Sequence, residues 1–130
     1  MRRWMFVMMV GLLLLLSGCQ GGGSAKGFTD ITVAELSTML ETKDFLFVNT
    51  HIPYEGEIAD TDAFIPYDEL EQYADQLPAD KDARIVLYCR SGRMSEIAAT
   101  ALVQQGYTQV YEVDGGMIAW EEAGLPLIGK

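Results

Sequence analysis

This chain is short of two things: thiols and positive charge. It has two cysteines, Cys19 and Cys89, and one histidine, His51. The cysteines are far apart, so a vicinal dithiol cycle is excluded, and no Cys/His cluster has zinc-ligand spacing. No metal and no cofactor is expected. Lys and Arg number 9 against 19 Asp and Glu, a formal charge of −10. Nucleic acids and anionic lipids bind basic patches, so neither is an expected partner of the folded surface. No internal repeat is visible.

Long apolar runs are also scarce. The one present, 4–16, follows Arg2 and Arg3 and is shorter than the ~20 residues a spanning helix needs. It ends in Leu16-Ser17-Gly18-Cys19. Residues 1–18 are expected to be an export signal of the bacterial lipoprotein kind, leaving Cys19 as a lipid-modified first residue. Cleavage removes two positive charges and no negative ones, taking the formal charge from −10 to −12. Each buried acyl CH₂ contributes about 0.8 kcal/mol, and two or more chains anchor stably. Residues 19–26, with Gly21, Gly22, Gly23 and Ser24, read as a lipidated cysteine and a flexible tether. Its reach is at most about 25 Å. The expected location is therefore extracytoplasmic, on the periplasmic side or the outer face of a membrane. Residues 27–130 suit one domain with one core.

With Cys19 lipidated, Cys89 is the one free thiol. An unpaired cysteine in an exported protein is a liability unless its reactivity is used. Cys89 ends the apolar run Arg84-Ile85-Val86-Leu87-Tyr88 and opens Arg90-Ser91-Gly92-Arg93-Met94-Ser95, which leads into a helical pattern over 94–105. A strand-to-helix turn presents aligned backbone N–H groups and a positive dipole end to an anion. Two arginines add fixed charge. Such surroundings favour a thiolate. A small core cysteine is the plainer alternative, but glycine and two arginines make poor core material.

The rest of the domain alternates strands and helices. Strands are expected over 28–31, 45–48, 84–88 and 109–113. Helices are expected over 32–41, opened by a Thr32…Glu35 capping box, over 68–73, over 94–105 and over 117–123. Residues 50–65 read as a long polar loop. Such alternation argues for a parallel sheet covered on both faces, with ligands at the carboxyl ends of the strands, where Cys89 stands.

The Cys89 loop resembles the active-site loop of rhodanese-type sulfurtransferases. Ile97-Ala98-Ala99, Leu102, Gly106-Tyr107-Thr108-Gln109-Val110-Tyr111, Gly115-Gly116-Met117-Ile118-Ala119-Trp120 and Ala123-Gly124-Leu125-Pro126 extend the resemblance. It implies an α/β fold of about five parallel strands with helices on both faces. It also implies transfer of a sulfane sulfur, from a small donor such as thiosulfate to a thiophilic acceptor, through a Cys89 persulfide. Arg90, Ser91, Gly92, Arg93, Met94 and Ser95 would then bind the anionic donor. The alternative is a carrier or binding module for an exported protein partner, without efficient turnover. Three departures stand out. Met94 replaces a frequent arginine, Asn49-Thr50-His51 replaces an Asp-x-Arg, and the acidic stretch 55–62 replaces a Gly-His-Ile-Pro-Gly-Ala run. Phosphatase chemistry on a related loop requires arginine at the sixth place after the cysteine, and Ser95 is there. His51 is an accessory candidate near the same sheet edge. Glu55, Glu57, Asp60 and Asp62 lack the spacing of a calcium loop.

Overall fold

The computed structural model describes residues 25–130. The expected signal, the lipidation site Cys19 and most of the expected tether lie outside the described residues. Among the described residues, no helix is long and apolar enough to cross a membrane.

Five strands form one parallel sheet: β1 (Thr29–Ile31), β2 (Leu46–Asn49), β3 (Ala63–Phe64), β4 (Arg84–Tyr88) and β5 (Gln109–Val113). Their order is β1-β5-β4-β2-β3, so β4 is central. Three helices complete the fold: α1 (Val33–Glu41), α2 (Arg93–Gln104) and α3 (Gly116–Glu122). β4 sits between two strands and under both layers, which explains its unbroken apolar run; Ile85 to Tyr88 are all 0% exposed. The parallel register pairs Asn49 with Tyr88 and Leu87 with Glu112. Residues just after β2, β4 and β5 therefore emerge at one edge of the sheet.

Alternate residues of each strand feed two cores. On one face α2 packs Ala98, Ala99 and Leu102 against Val48, Ile85, Leu87 and Val110. On the other, Leu36 of α1 and Met117 and Trp120 of α3 pack against Phe47, Val86, Tyr88 and Val113. The Thr32–Glu35 capping box forms, with both reciprocal bonds present.

Two expected elements differ. No α-helix covers 68–73. The segment is a run of tight turns in which Glu69, Gln72 and Tyr73 each donate to the carbonyl three residues back, and it ends in a 3-10 turn at Ala74–Gln76. A stretch this short cannot offset helix nucleation, while three-residue spacing suffices to seat Leu70 and Leu77 in the core. The loop over 50–65 contains β3, one of the two edge strands, pinned by Ile65 N–H donating to the Asn49 carbonyl at 3.0 Å. Inside this loop the Tyr88 hydroxyl accepts from Ile58 N–H at 3.0 Å and lies 2.8 Å from Thr61 Oγ1. Burial pushes Tyr88 up to about 12, so it stays a neutral pin between the central strand and the loop. The loop's carboxylates do not converge. Asp62 binds Lys43 at 2.6 Å and accepts from Phe47 N–H at 2.8 Å, the Glu57 carboxylate bonds the Tyr54 side chain, and Glu55 turns towards the site.

Candidate active site

Cys89 stands at the carboxyl end of β4, 1% exposed. Gly92 N–H donates to its sulfur at 3.0 Å, and the Ser95 hydroxyl lies 3.4 Å away. Gly92 is the N-cap of α2 at φ 114, a backbone conformation that disfavours side chains, and this turns its N–H back onto the sulfur. Arg93, Met94 and Ser95 form the first turn of α2, where backbone N–H groups have no helical acceptor. The sulfur thus sits at the positive end of a helix, next to one donor already engaged.

The loop is held from behind by α3. Met117 N–H donates to the Cys89 carbonyl at 2.9 Å, and Ile118 N–H to the Arg90 carbonyl at 3.0 Å. The Met117 and Ile118 donors of α3 are spent on the loop backbone, whereas the first-turn donors of α2 have no helical acceptor. Gly116 makes this approach tight enough; a Cβ there would overlap the Cys89 carbonyl oxygen.

From the β2 side, Thr50 binds the Tyr88 carbonyl twice, through its N–H and its hydroxyl, each at 2.9 Å. Asn49 accepts from His51 N–H at 3.0 Å and donates to the Gly56 carbonyl at 3.1 Å. His51 is buried, with Nε2 2.6 Å from Glu55. Arg90, half exposed, reaches the same carboxylate oxygen at 3.5 Å. The structure therefore brings His51 and Arg90 together through Glu55. Ser91 and Arg93 are exposed, Met94 is half-buried, and Ser95 is fully buried.

Sequence reasoning did not single out Glu112. This β5 residue is 1% exposed, and it accepts from the Ser95 hydroxyl at 2.5 Å. Burial pushes its carboxyl up to about 7; the Ser95 bond opposes the rise, and the charges of Asp30, Glu96 and Asp114 add to it. The signal was in the strand: Glu112 shares the inward face of Val110, a position where a charge is costly. Its carboxylate lies with those of Asp30 and Glu96, all within 4.8 Å of one another. Lys26, the last residue of the expected tether, supplies positive charge there, 3.1 Å from Asp30 and 3.6 Å from Glu96.

Glu112 ties stability to pH. Its folded carboxyl holds a proton more tightly than the ordinary value of 4.5. The contribution is full below that value and disappears as pH rises through about 7. About 3 kcal/mol of unfolding free energy is expected to go from this one group by about pH 8. Urea unfolding across that range should show Glu112→Gln with a shallower decline than the unsubstituted protein, and equal slopes would remove Glu112 as the source.

A thiol at the end of the central parallel strand, under a helix N-terminus and braced by a Gly-Gly helix start, agrees with the comparisons. The rhodanese-like domain pattern matches residues 32–123. This chain belongs to the rhodanese-like family. It is 38% identical over 93 residues to a sulfurtransferase of Allochromatium vinosum, covering 69% of this chain and 84% of that one. It is 33% identical to the tRNA uridine(34) hydroxylase of Erwinia tasmaniensis over 75% of this chain, which spans 31% of that protein's length. Among solved structures, a rhodanese-related protein of Thermoplasma volcanium superposes with a TM-score of 0.65 at 27% identity, covering 77% of this chain and 97% of that one. A NAD-dependent persulfide reductase of A. fulgidus superposes with a TM-score of 0.59 at 30% identity, over 72% of this chain and 16% of its own. The rhodanese fold expected from the cysteine loop is thus the observed one.

Proposed function

We propose that this rhodanese-like protein transfers sulfane sulfur through a Cys89 persulfide, while tethered to the outside of a bacterial membrane by lipid on Cys19. The observation that carries the chemistry is the seat of the Cys89 sulfur, 3.0 Å from Gly92 N–H and beneath the first turn of α2. In the first half-reaction the Cys89 thiolate attacks the outer sulfur of a donor such as thiosulfate. A new S–S bond forms, the donor's own S–S bond breaks, and sulfite leaves with that electron pair. In the second, a thiophilic acceptor attacks the outer persulfide sulfur and the thiolate returns. Neither step needs a general base when the thiolate is the attacking form. The Gly92 N–H and the free donors of α2 stabilise the sulfur anion in both resting states. Arg93 is an exposed cation at the loop, and Arg90 joins it by exchanging Glu55 for the anionic donor.

The tether rests on residues 1–26 as read from the sequence. The tRNA hydroxylases share this domain over a minor part of their length, and a chain of charge −10 is a poor ligand for RNA. One observation favours the second reading, a carrier module charged by an exported partner: Arg90 is already engaged by Glu55. The two readings separate in a thiosulfate-to-cyanide assay of the purified, reduced protein. Thiocyanate formed over many turnovers is the expected result. A persulfide mass on Cys89 with negligible thiocyanate would identify a carrier instead.

A further inference from the structure

The Ser95 hydroxyl has one proton and three acceptors around it. Glu112 Oε1 is at 2.5 Å, the Gly92 carbonyl at 3.1 Å and the Cys89 sulfur at 3.4 Å. Only one of them takes the proton at a time. An ionised Glu112 wins, since a charged acceptor at the shortest distance makes the strongest bond. A protonated Glu112 is itself a donor to the Ser95 oxygen, and the hydroxyl proton is then free to turn towards the sulfur. We propose that Glu112 is a positioning residue for the Cys89 sulfur, acting through the Ser95 hydroxyl: its charged form withholds the hydroxyl proton from the sulfur anion, and its protonated form releases it. This rests on the reading of Cys89 as the sulfur-bearing anion and adds a control to it.

The setting suits a switch. Ser95 and Glu112 are both buried, so water does not screen the link. Glu112 faces Asp30 on β1, Glu96 on α2 and Asp114 after β5, with Lys26 bonded to the first two. Burial, and then three neighbouring carboxylates against one ammonium, make charging Glu112 costly. The carboxyl titrates near neutral pH, within reach of ordinary changes in the surroundings. Asp30 and Glu96 are exposed and lie within 4.8 Å of Glu112, giving its proton a path to solvent. The hydroxyl only rotates; the proton exchanged is the carboxyl's own. A thiolate or persulfide on Cys89 and a charge on Glu112 thus oppose each other, and the coupling is reciprocal.

The test is alkylation of Cys89 by iodoacetamide in the full chain, followed across about pH 5 to 9. The unsubstituted protein is expected to show an inflection near the Glu112 midpoint, absent from Glu112→Gln. At about pH 8, Glu112→Gln should react about three- to tenfold faster, because an uncharged amide no longer opposes the thiolate. In a Ser95→Ala background the same substitution should change the rate less than about twofold. Superimposable profiles for the unsubstituted protein and Glu112→Gln would overturn the proposal. So would an undiminished effect without Ser95, which would mark a field acting through space. None of these readouts uses sulfur transfer, so a failed thiocyanate assay would leave them standing.

Discussion

A Cys89→Ser variant is expected to form thiocyanate at least about 10³-fold more slowly than the unsubstituted protein, at the limit of detection. In the proposed mechanism the nucleophile and the sulfur carrier are the same atom, so no neighbouring group can replace it. Among the described residues Cys89 is the one free cysteine. A serine hydroxyl is a poor nucleophile without an adjacent base, and its oxygen cannot store a sulfur as a stable anion. The fold should survive. The serine oxygen would sit where Gly92 N–H already points, with the Ser95 hydroxyl alongside. A change in stability of about 1 kcal/mol or less is expected, read by urea unfolding. Loss of thiocyanate with an unchanged unfolding curve assigns the sulfur to Cys89. A folded variant that still turns over would move the chemistry elsewhere.

What the sequence made legible follows from how local each feature is. β4 and β5 have the expected bounds, because unbroken or alternating apolar runs between turn residues leave little choice. The capping box was readable because Thr32 and Glu35 settle it between themselves. α2 starts at Arg93, one residue before the helical pattern, because Gly92 takes the N-cap with a positive φ that only glycine adopts easily. The segment 68–73 misled because Tyr67, Leu70 and Tyr73 fit three-residue turns as well as a helix face. Cys89 and its loop were legible as one continuous motif. The parts supplied by other elements were not. Thr50 bonds the Tyr88 carbonyl from 38 residues away, and Glu55 meets Arg90 across 35. Glu112 becomes meaningful only when β5 lies beside β4 and α2 crosses above both. His51 lies at the expected sheet edge, but nothing in the acidic stretch 55–62 marks Glu55 as its partner until the loop folds back.

Gly116→Ala is expected to cost about 3 kcal/mol or more and to take most of the sulfur-transfer activity with it. Gly116 stands at φ 53, where an alanine costs roughly 1–2 kcal/mol in backbone strain alone. The added Cβ would also overlap the Cys89 carbonyl oxygen and lie 2.9 Å from the Arg90 carbonyl carbon and oxygen. These are backbone atoms of the Cys89 loop and cannot rotate aside. Either α3 withdraws or the loop shifts. In both cases the bonds from Met117 and Ile118 N–H to the Cys89 and Arg90 carbonyls are lost, each worth about 1 kcal/mol. A shifted loop misplaces the sulfur relative to Gly92 N–H and the first turn of α2, and displacements near 1 Å commonly cost about a hundredfold in rate. Gly124 supplies the control. It has φ 82 and nothing within 4 Å of an added Cβ, so Gly124→Ala pays the backbone strain without the clash. It should lose about 1 kcal/mol and keep its activity. Urea unfolding and thiocyanate formation on both variants separate the two terms. If Gly116→Ala behaved like Gly124→Ala, the close approach of α3 would not be what sets the loop. A larger loss confined to Gly116 would show α3 gripping the Cys89 loop through two carbonyls, at a spot where only hydrogen fits.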